Sequence, residues 1–195
     1  MELQNKLFAT EQGMFNFLWK KKKKAFEPVI DVNVTLKNLQ PSWTVDYDMT
    51  TWRVSTHHQC DMGTGKLTDK WELQSADRQI FLHYDQSGSG KFTISEKLPI
   101  ASIEGNIKAY LQENDDAPVR LFYNSTTYYL DKEGEGLMFV NGEGSGLEFI
   151  YWDYLDDSRY HFVTLEQWGY NDYEARKGQV VEESQFANLT PPHQA

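Results

Sequence analysis

Residues 70–84 read KWELQSADRQIFLHY. Trp71 and Leu73 alternate with polar residues in the first part of this stretch, and apolar and aromatic residues dominate its last six positions. Alternation with a period of two is typical of a β-strand with one buried face. The polar residues between the two runs favour a tight turn. The stretch therefore predicts an antiparallel hairpin with strands at 70–75 and 79–84.

The same alternation of short strands and turns extends over the chain from Trp43 onward. One internal helix is predicted over 103–114, because its apolar positions share one face at helical spacing and Pro118 lies beyond its end. The apolar positions of the helix are Ile103, Ile107, Tyr110 and Leu111. The predicted strands are 43–48, 52–58, 70–75, 79–84, 91–96, 119–123, 127–130, 137–140, 147–152 and 161–166, with a weaker run through Val180 and Val181.

The two halves of this region resemble each other. Residues 48–54 (DMTTWRV) match 124–130 (NSTTYYL). The further matches pair 70–73 with 137–140, 81–85 with 149–153, and 92–96 with 162–166. We predict a mainly β fold of two antiparallel meanders, with pseudo-repeats at about 43–103 and 119–190 joined by the helix. Each half would have an apolar face that it cannot bury alone, so we expect the two faces to pack together in a sandwich or a composite barrel.

The composition and the absence of certain motifs exclude several classes of partner and function. The chain has 29 acidic and 19 basic residues and a formal net charge of −10, which disfavours nucleic acid as a partner. A single cysteine, Cys60, excludes an intrachain disulfide and fits a reducing compartment, so we expect a cytoplasmic protein. No phosphate-binding loop and no nucleophile elbow is present, and the sequence predicts no cofactor, no metal and no catalytic residue.

Several strand motifs resemble those of a bacterial family known only as a domain of unknown function. Residues 51–54 (TWRV), 70–73 (KWEL) and 81–85 (FLHYD) are similar to the family's W-x-E-Y/L strand and the W/F-L-x-x-E/D strand that follows it. Residues 162–169 (FVTLEQWG) and the run to Pro191 are similar to its closing segment. Some members are encoded near phage-shock-type membrane-stress proteins and polyamine-related enzymes. The resemblance implies a membrane-associated helper role and supplies no catalytic residues.

The region 1–42 differs from the rest of the chain and contains a candidate membrane contact. Aromatic and aliphatic side chains that favour the headgroup boundary precede five consecutive lysines, each of which would contribute about 1 kcal/mol at an anionic surface. The alternative is a tail whose lysines are only solvated. The candidate residues are Phe15, Phe17, Leu18, Trp19, Lys20, Lys21, Lys22, Lys23 and Lys24.

Other polar groups have a structural and a functional interpretation. His57, His58 and Cys60 resemble metal ligands, but strand geometry puts His57 and Gln59 on one face and His58 and Cys60 on the other, which is too few per face for zinc. Four carboxylates, Asp85, Glu96, Asp153 and Glu166, recur at matching places in both halves and could perform acid–base chemistry, although strand-end turns also favour such residues. The glycines from 134 to 146 are interpreted as hairpin turns.

Three functional hypotheses follow from these patterns. We favour a non-enzymatic binding or adaptor protein, peripheral to the inner face of a membrane, with a protein or an anionic membrane surface as its partner. Its candidate ligand surface consists of Asp85, Asp153, Trp152, Trp168 and Tyr170. The alternatives are a hydrolase, which requires at least two of the four carboxylates in one deep pocket between the halves, and a carbohydrate- or polyamine-binding module. The sequence predicts no oligomeric state.

Overall fold

The structure is a computed structural model that describes residues 34–86 and 90–192. Within these ranges the chain forms one α-helix, α1 (Ile107–Asn114), and four short 3-10 turns at Leu36–Asn38, Ile100–Ser102, Val140–Gly142 and Glu183–Gln185. The strands are β1 (Thr44–Tyr47), β2 (Thr50–Asp61), β3 (Leu67–Gln74), β4 (Gln79–Tyr84), β5 (Phe92–Leu98), β6 (Arg120–Tyr123), β7 (Thr126–Phe139), β8 (Leu147–Leu155), β9 (His161–Gly169), β10 (Asp172–Val181) and β11 (Phe186–Thr190).

The strands form one antiparallel sheet that curves into a ring. Its order is β11-β1-β2-β3-β4-β5-β10-β9-β8-β7-β6, and a further pairing of β2 with β7 closes it. The closing contact pairs Gln59 with Phe139 and Asp61 with Leu137. Eight strands, β2 to β5 and β7 to β10, therefore form the ring, while β1, β11 and β6 extend the sheet beyond it.

The two meanders, β1 to β5 and β6 to β10, are built alike, and the mainly β fold of two similar antiparallel halves is confirmed. Both begin with a hairpin whose two turn residues have positive φ: Asp48 and Met49 in the first, Asn124 and Ser125 in the second. Such turns match the twist of the paired strands. In both, the long second strand is irregular in register soon afterwards, past Val54 in β2 and past Leu130 in β7.

The structure corrects how the two halves correspond. Residues 127–130 and 137–140 were expected to be separate strands, but the first run and most of the second lie in the single strand β7. The second half therefore has one strand fewer before β8 than the sequence matching assumed. Trp71 and Trp152 both lie on the third strand of their meander, whereas Asp85 and Asp153 do not occupy equivalent positions.

The apolar side chains form two separate buried clusters instead of one shared core. The first apolar cluster includes Trp52, Trp71, Leu82 and Phe186, and the second includes Ile107, Leu121, Trp152, Tyr154 and Leu165. The two halves join in one ring, as in the expected composite barrel, and their apolar side chains gather in two clusters. Residues of β1, β11 and the first 3-10 turn belong to the first cluster, and residues of α1 and β6 belong to the second.

The helix is shorter than predicted. It begins at Ile107 instead of residue 103, after Asn106 in a left-handed conformation with φ of 48°. Ile103, Ile107 and Leu111 are buried as the spacing predicts, but Tyr110 is 40% exposed, so its predicted place on the apolar face was wrong. Burial of a large apolar side chain contributes about 1.5–3 kcal/mol, and the three buried residues hold this segment against β8 and β9 residues in the second apolar cluster.

Candidate functional site

The interior of the ring is polar. Lys70 on β3 and Glu166 on β9 lie on opposite sides of the ring, yet Lys70 Nζ is 3.4 Å from Glu166 Oε1. Their side chains therefore point inward. Since neighbouring strand residues point to opposite faces, Trp71 and Leu165 point outward into the two apolar clusters. The alternation that gives each half an apolar outer face thus gives the ring a polar inner face.

A cavity of about 750 Å³ occupies this interior. All eight ring strands contribute to its lining. Most of the lining side chains are polar or charged, and the aromatic ones include Phe81, Tyr151 and Phe162. The lining also includes three residues with hydroxyl groups, Thr93, Ser95 and Thr164. The volume lies in the range of small-molecule sites in proteins.

Two β-bulges set which residues reach the cavity. The register of β2 against β3 shifts between Val54 and Thr56. Val54 therefore packs in the first apolar cluster, while Cys60 lines the cavity. The register of β7 against β8 shifts between Leu130 and Lys132, and Lys132 also lines the cavity. An extra residue in a strand turns the following side chains to the other face. The first part of each long strand therefore contributes side chains to the outer face, and the second part contributes side chains to the interior.

Glu166 is the centre of a buried charge cluster. It is 6% exposed, and it accepts hydrogen bonds from Lys70 Nζ, from Trp168 Nε1 at 3.2 Å and from Arg176 Nε at 3.2 Å. Arg176 also pairs with Glu174, and its guanidinium lies 4.1 Å from the centre of the Phe81 ring. Burial opposes ionisation of Glu166, but the two cations outweigh it and hold its pKa below the usual range. Glu166 is therefore an ionised structural anion.

Asp153 is the contrasting carboxyl group in the same cavity. Its Oδ1 accepts a hydrogen bond from Thr164 Oγ1 at 2.6 Å. Among the described residues no ion pair includes Asp153. Burial raises its pKa to about 6; the Thr164 hydroxyl partly opposes this, and the negative charge of Glu166 adds to it. The cavity therefore contains two carboxyl groups whose environments move their pKa values in opposite directions.

His83 and Cys60 are two further titratable groups that line the cavity. Burial lowers the pKa of His83 to about 4, and the nearby positive charge of Lys70 lowers it further. The imidazole is therefore neutral at pH 7, and its Nε2 lies 3.0 Å from Thr68 Oγ1. Burial raises the pKa of Cys60 to about 11, so this thiol is protonated at neutral pH and is a poor nucleophile.

The two histidines of β2 contact carboxylates of the neighbouring strand β3. His57 Nε2 lies 2.8 Å from Asp69 Oδ1, and the His57 ring stacks on Trp71. His58 Nε2 lies 3.2 Å from Glu72 Oε1. In the part of the chain that the structure describes, no three His, Cys, Asp or Glu side chains are arranged to hold a metal ion.

The structure brings three of the four candidate carboxylates together. Asp85, Asp153 and Glu166 all line the cavity. Glu96 does not: it pairs with Arg78 at 3.7 Å and with Lys177 at 3.1 Å, and its side chain is 38% exposed. The pocket required by the hydrolase hypothesis is therefore present, although its members do not occupy matching positions of the two meanders.

The candidate aromatic surface is not a single surface. Trp152 is 4% exposed in the second apolar cluster and donates to Asp116 through Nε1. Tyr170 is 89% exposed beyond the end of β9. Trp168 stacks on Phe149 with 4.7 Å between the ring centres, and both line a second cavity of about 570 Å³.

Two glycines that were interpreted as turns are in fact strand residues. Gly134 and Gly136 both lie within β7. A Cβ at Gly136 would come 2.5 Å from the Phe149 ring, and one at Gly134 would come 3.2 Å from the Tyr151 hydroxyl. Glycine is therefore required at Gly136 so that an aromatic ring of β8 can cross the inner face of β7. Gly142, Gly144 and Gly146 have positive φ and do form the predicted turn.

The candidate membrane-contact residues, from Phe15 to Lys24, lie outside the described residues. Within the described part of the chain, no helix has the length and apolar character needed to cross a bilayer.

A family model for a domain of unknown function, DUF4178, matches residues 40–183 of this chain. The chain belongs to the DUF4178 family. The matched region runs from before β1 to just beyond β10 and so contains every strand of the ring. No curated protein and no solved structure shows significant similarity to the chain.

Sequence reasoning missed Lys70 and Arg176 as site residues of this DUF4178 domain. Lys70 stands next to Trp71, where alternation predicts a polar side chain in solvent, and Arg176 lies in a segment where no strand was predicted before Val180. A signal was present in the alternation itself. A sheet that closes on itself has only one solvent-facing side, so polar residues of alternating strands can belong to an interior.

Replacing Asp153 by Asn will raise the free energy of unfolding relative to wild type, increasingly as the pH rises from about 4 to about 7.5. The folded pKa of about 6 lies above the ordinary value of 3.8, so the wild type loses stability as Asp153 ionises across this range. The relative gain for the Asn variant is about 3 kcal/mol. Urea unfolding at several pH values measures it. The exposed Asp172→Asn is the matched control. A gain for Asp153→Asn that does not change with pH would contradict the raised pKa of Asp153.

Proposed function

We propose that this protein is a non-enzymatic binding protein that holds a small polar molecule inside the ring. The observation that supports this proposal best is the interior cavity of about 750 Å³, to which seven of the eight ring strands contribute polar or charged lining. Cavities of this size, with a few directed polar groups and aromatic walls, are characteristic of ligand sites.

The polar character of the interior supports a functional cause. Both apolar clusters lie on the outer face, so the ring does not need its interior to form a hydrophobic core. Burying charges such as Glu166 and Arg176 costs free energy unless they are well paired, and apolar replacements are often neutral or stabilising. A sequence that keeps charged groups in such a place is explained by a ligand that uses them.

Binding is favoured over hydrolysis by the contacts of Glu166. The hydrolase alternative gains support from the three carboxylates in one cavity and from the divergent pKa values of Asp153 and Glu166. However, Lys70 engages one Glu166 oxygen, and Trp168 and Arg176 engage the other. A carboxylate held in this way is not free to act as a base or a nucleophile, which removes Glu166 as a catalytic partner of Asp153.

The N-terminal segment adds a second part to the proposal. We propose that Phe15 to Lys24 place the protein at the cytoplasmic face of a membrane. The order of aromatic residues followed by five lysines supports contact with anionic lipid. The ring would then act as an adaptor that reports on a small molecule near the membrane.

Filling the cavity will abolish ligand retention. Ser95 lines the interior, and Ser95→Trp would occupy space that the ligand needs. We expect wild-type protein, incubated with a bacterial metabolite extract and separated by ultrafiltration, to retain a small molecule that mass spectrometry detects. Ser95→Trp should not retain it, whereas Ser145→Trp, at an exposed position outside the cavity, should. If the wild type and Ser95→Trp retain the same set of molecules, or neither retains any, the interior is not a binding site.

Removal of residues 1–24 will abolish binding to anionic vesicles. Five lysines at about 1 kcal/mol each would give strong attraction to phosphatidylserine. Flotation of the full chain and of the truncated chain with phosphatidylserine-containing vesicles measures the difference. A variant with Lys20 to Lys24 replaced by glutamine keeps the aromatic residues and separates the charge contribution. Equal and negligible flotation of full-length and truncated protein would end the membrane proposal.

A further inference from the structure

We infer that the molecule bound inside the ring carries an ammonium group, and that Asp153 is the residue that pairs with it. This inference rests on the proposed function, since it names the chemistry of the ligand in the same cavity. It follows from a comparison of the lining cations, and of the carboxylates Asp131, Asp153 and Glu166, with their partners.

The cations deep in the cavity are already neutralised. Lys70 and Arg176 both pair with Glu166, and Arg176 pairs with Glu174 as well. Arg159 pairs with Asp131 at 2.7 Å. The other lining lysines, Lys91 and Lys132, are exposed. A ligand that brings an anion into the deep part of the cavity would therefore have to displace an existing carboxylate.

Asp153 is in the opposite situation. It lines the cavity, and its hydrogen bond comes from a neutral hydroxyl group, that of Thr164. Within the described residues it forms no ion pair, in contrast to Glu166 and Asp131. An ionised carboxylate in such a place is unfavourable until a cation reaches it. An ammonium group supplies both the positive charge and the hydrogen-bond donors that a carboxylate accepts.

The surrounding charges agree with this assignment. From β9, Glu166 adds negative charge near Asp153; from β7, Asp131 does the same, while Lys132 opposes it. Tyr151 lies on the same strand as Asp153, and its hydroxyl group donates a hydrogen bond to the Met62 carbonyl. Tyr151 therefore keeps its proton and adds no charge to the cavity. The aromatic rings of Phe81, Tyr151 and Phe162 provide walls for the apolar part of an amine.

A matched set of three fragments tests the inference: benzylamine, benzyl alcohol and benzoate. They share an aromatic ring and differ in charge. Titrations of the full-length protein, followed by NMR at about pH 7.5, should give an affinity for benzylamine about tenfold or more above that for benzyl alcohol, and no binding of benzoate. The benzylamine affinity should fall as the pH is lowered through about 6, because Asp153 then becomes protonated.

Variants separate this inference from the proposed function. Asp153→Asn should reduce the benzylamine affinity to that of benzyl alcohol and remove the pH dependence. Asp172→Asn, at an exposed position outside the cavity, should change neither by more than about twofold. If benzyl alcohol or benzoate binds as well as benzylamine and Ser95→Trp blocks that binding, the inference is wrong and the binding proposal stands. If no fragment binds, the inference is also wrong, and the metabolite-retention experiment alone decides the proposed function.

Discussion

The contact between Lys70 and Glu166 is the constraint on which the rest of this structure depends. The two residues lie on strands separated by three others in either direction around the ring, and a distance of 3.4 Å between their charged atoms requires the ring to close. It also assigns the two faces of every strand. Once these side chains point inward, their neighbours must point outward, and the apolar residues must form the two outer clusters. Covering strands, turns and one helix then become necessary to shield those clusters from water.

Much of the fold could be predicted because its signals are local. Period-two alternation locates β4 with its observed bounds and most other strands within a few residues. Ring closure could not be predicted in this way, since β5 pairs with β10 and β2 pairs with β7 across long sequence separations. The interruption of β7 was also mispredicted. Gly134 and Gly136 look like turn residues, but they are strand positions where aromatic rings of β8 lie close to the backbone.

The candidate site was predictable only in part, for a related reason. Asp85, Asp153 and Glu166 were recognisable as carboxylates that recur in the pattern, and all three line the cavity. Their different states were not recognisable. Asp153 and Glu166 are both strand acids in the sequence pattern, and only the three-dimensional positions of Lys70 and Arg176 make one a paired anion and the other an acid with a pKa of about 6. Because Glu166 is paired with cations within the described chain and Asp153 is not, a cationic ligand in the cavity would pair with Asp153.

A double-mutant cycle between Lys70 and Glu166 tests the central claim most directly. Unfolding free energies of the wild type, Lys70→Met, Glu166→Gln and the double variant give the coupling between the two residues. A closed ring with a polar interior predicts a coupling of about 1–3 kcal/mol, because the side chains are buried and in contact. Effects that add within about 0.5 kcal/mol would mean that β3 and β9 do not face each other, and would contradict the account.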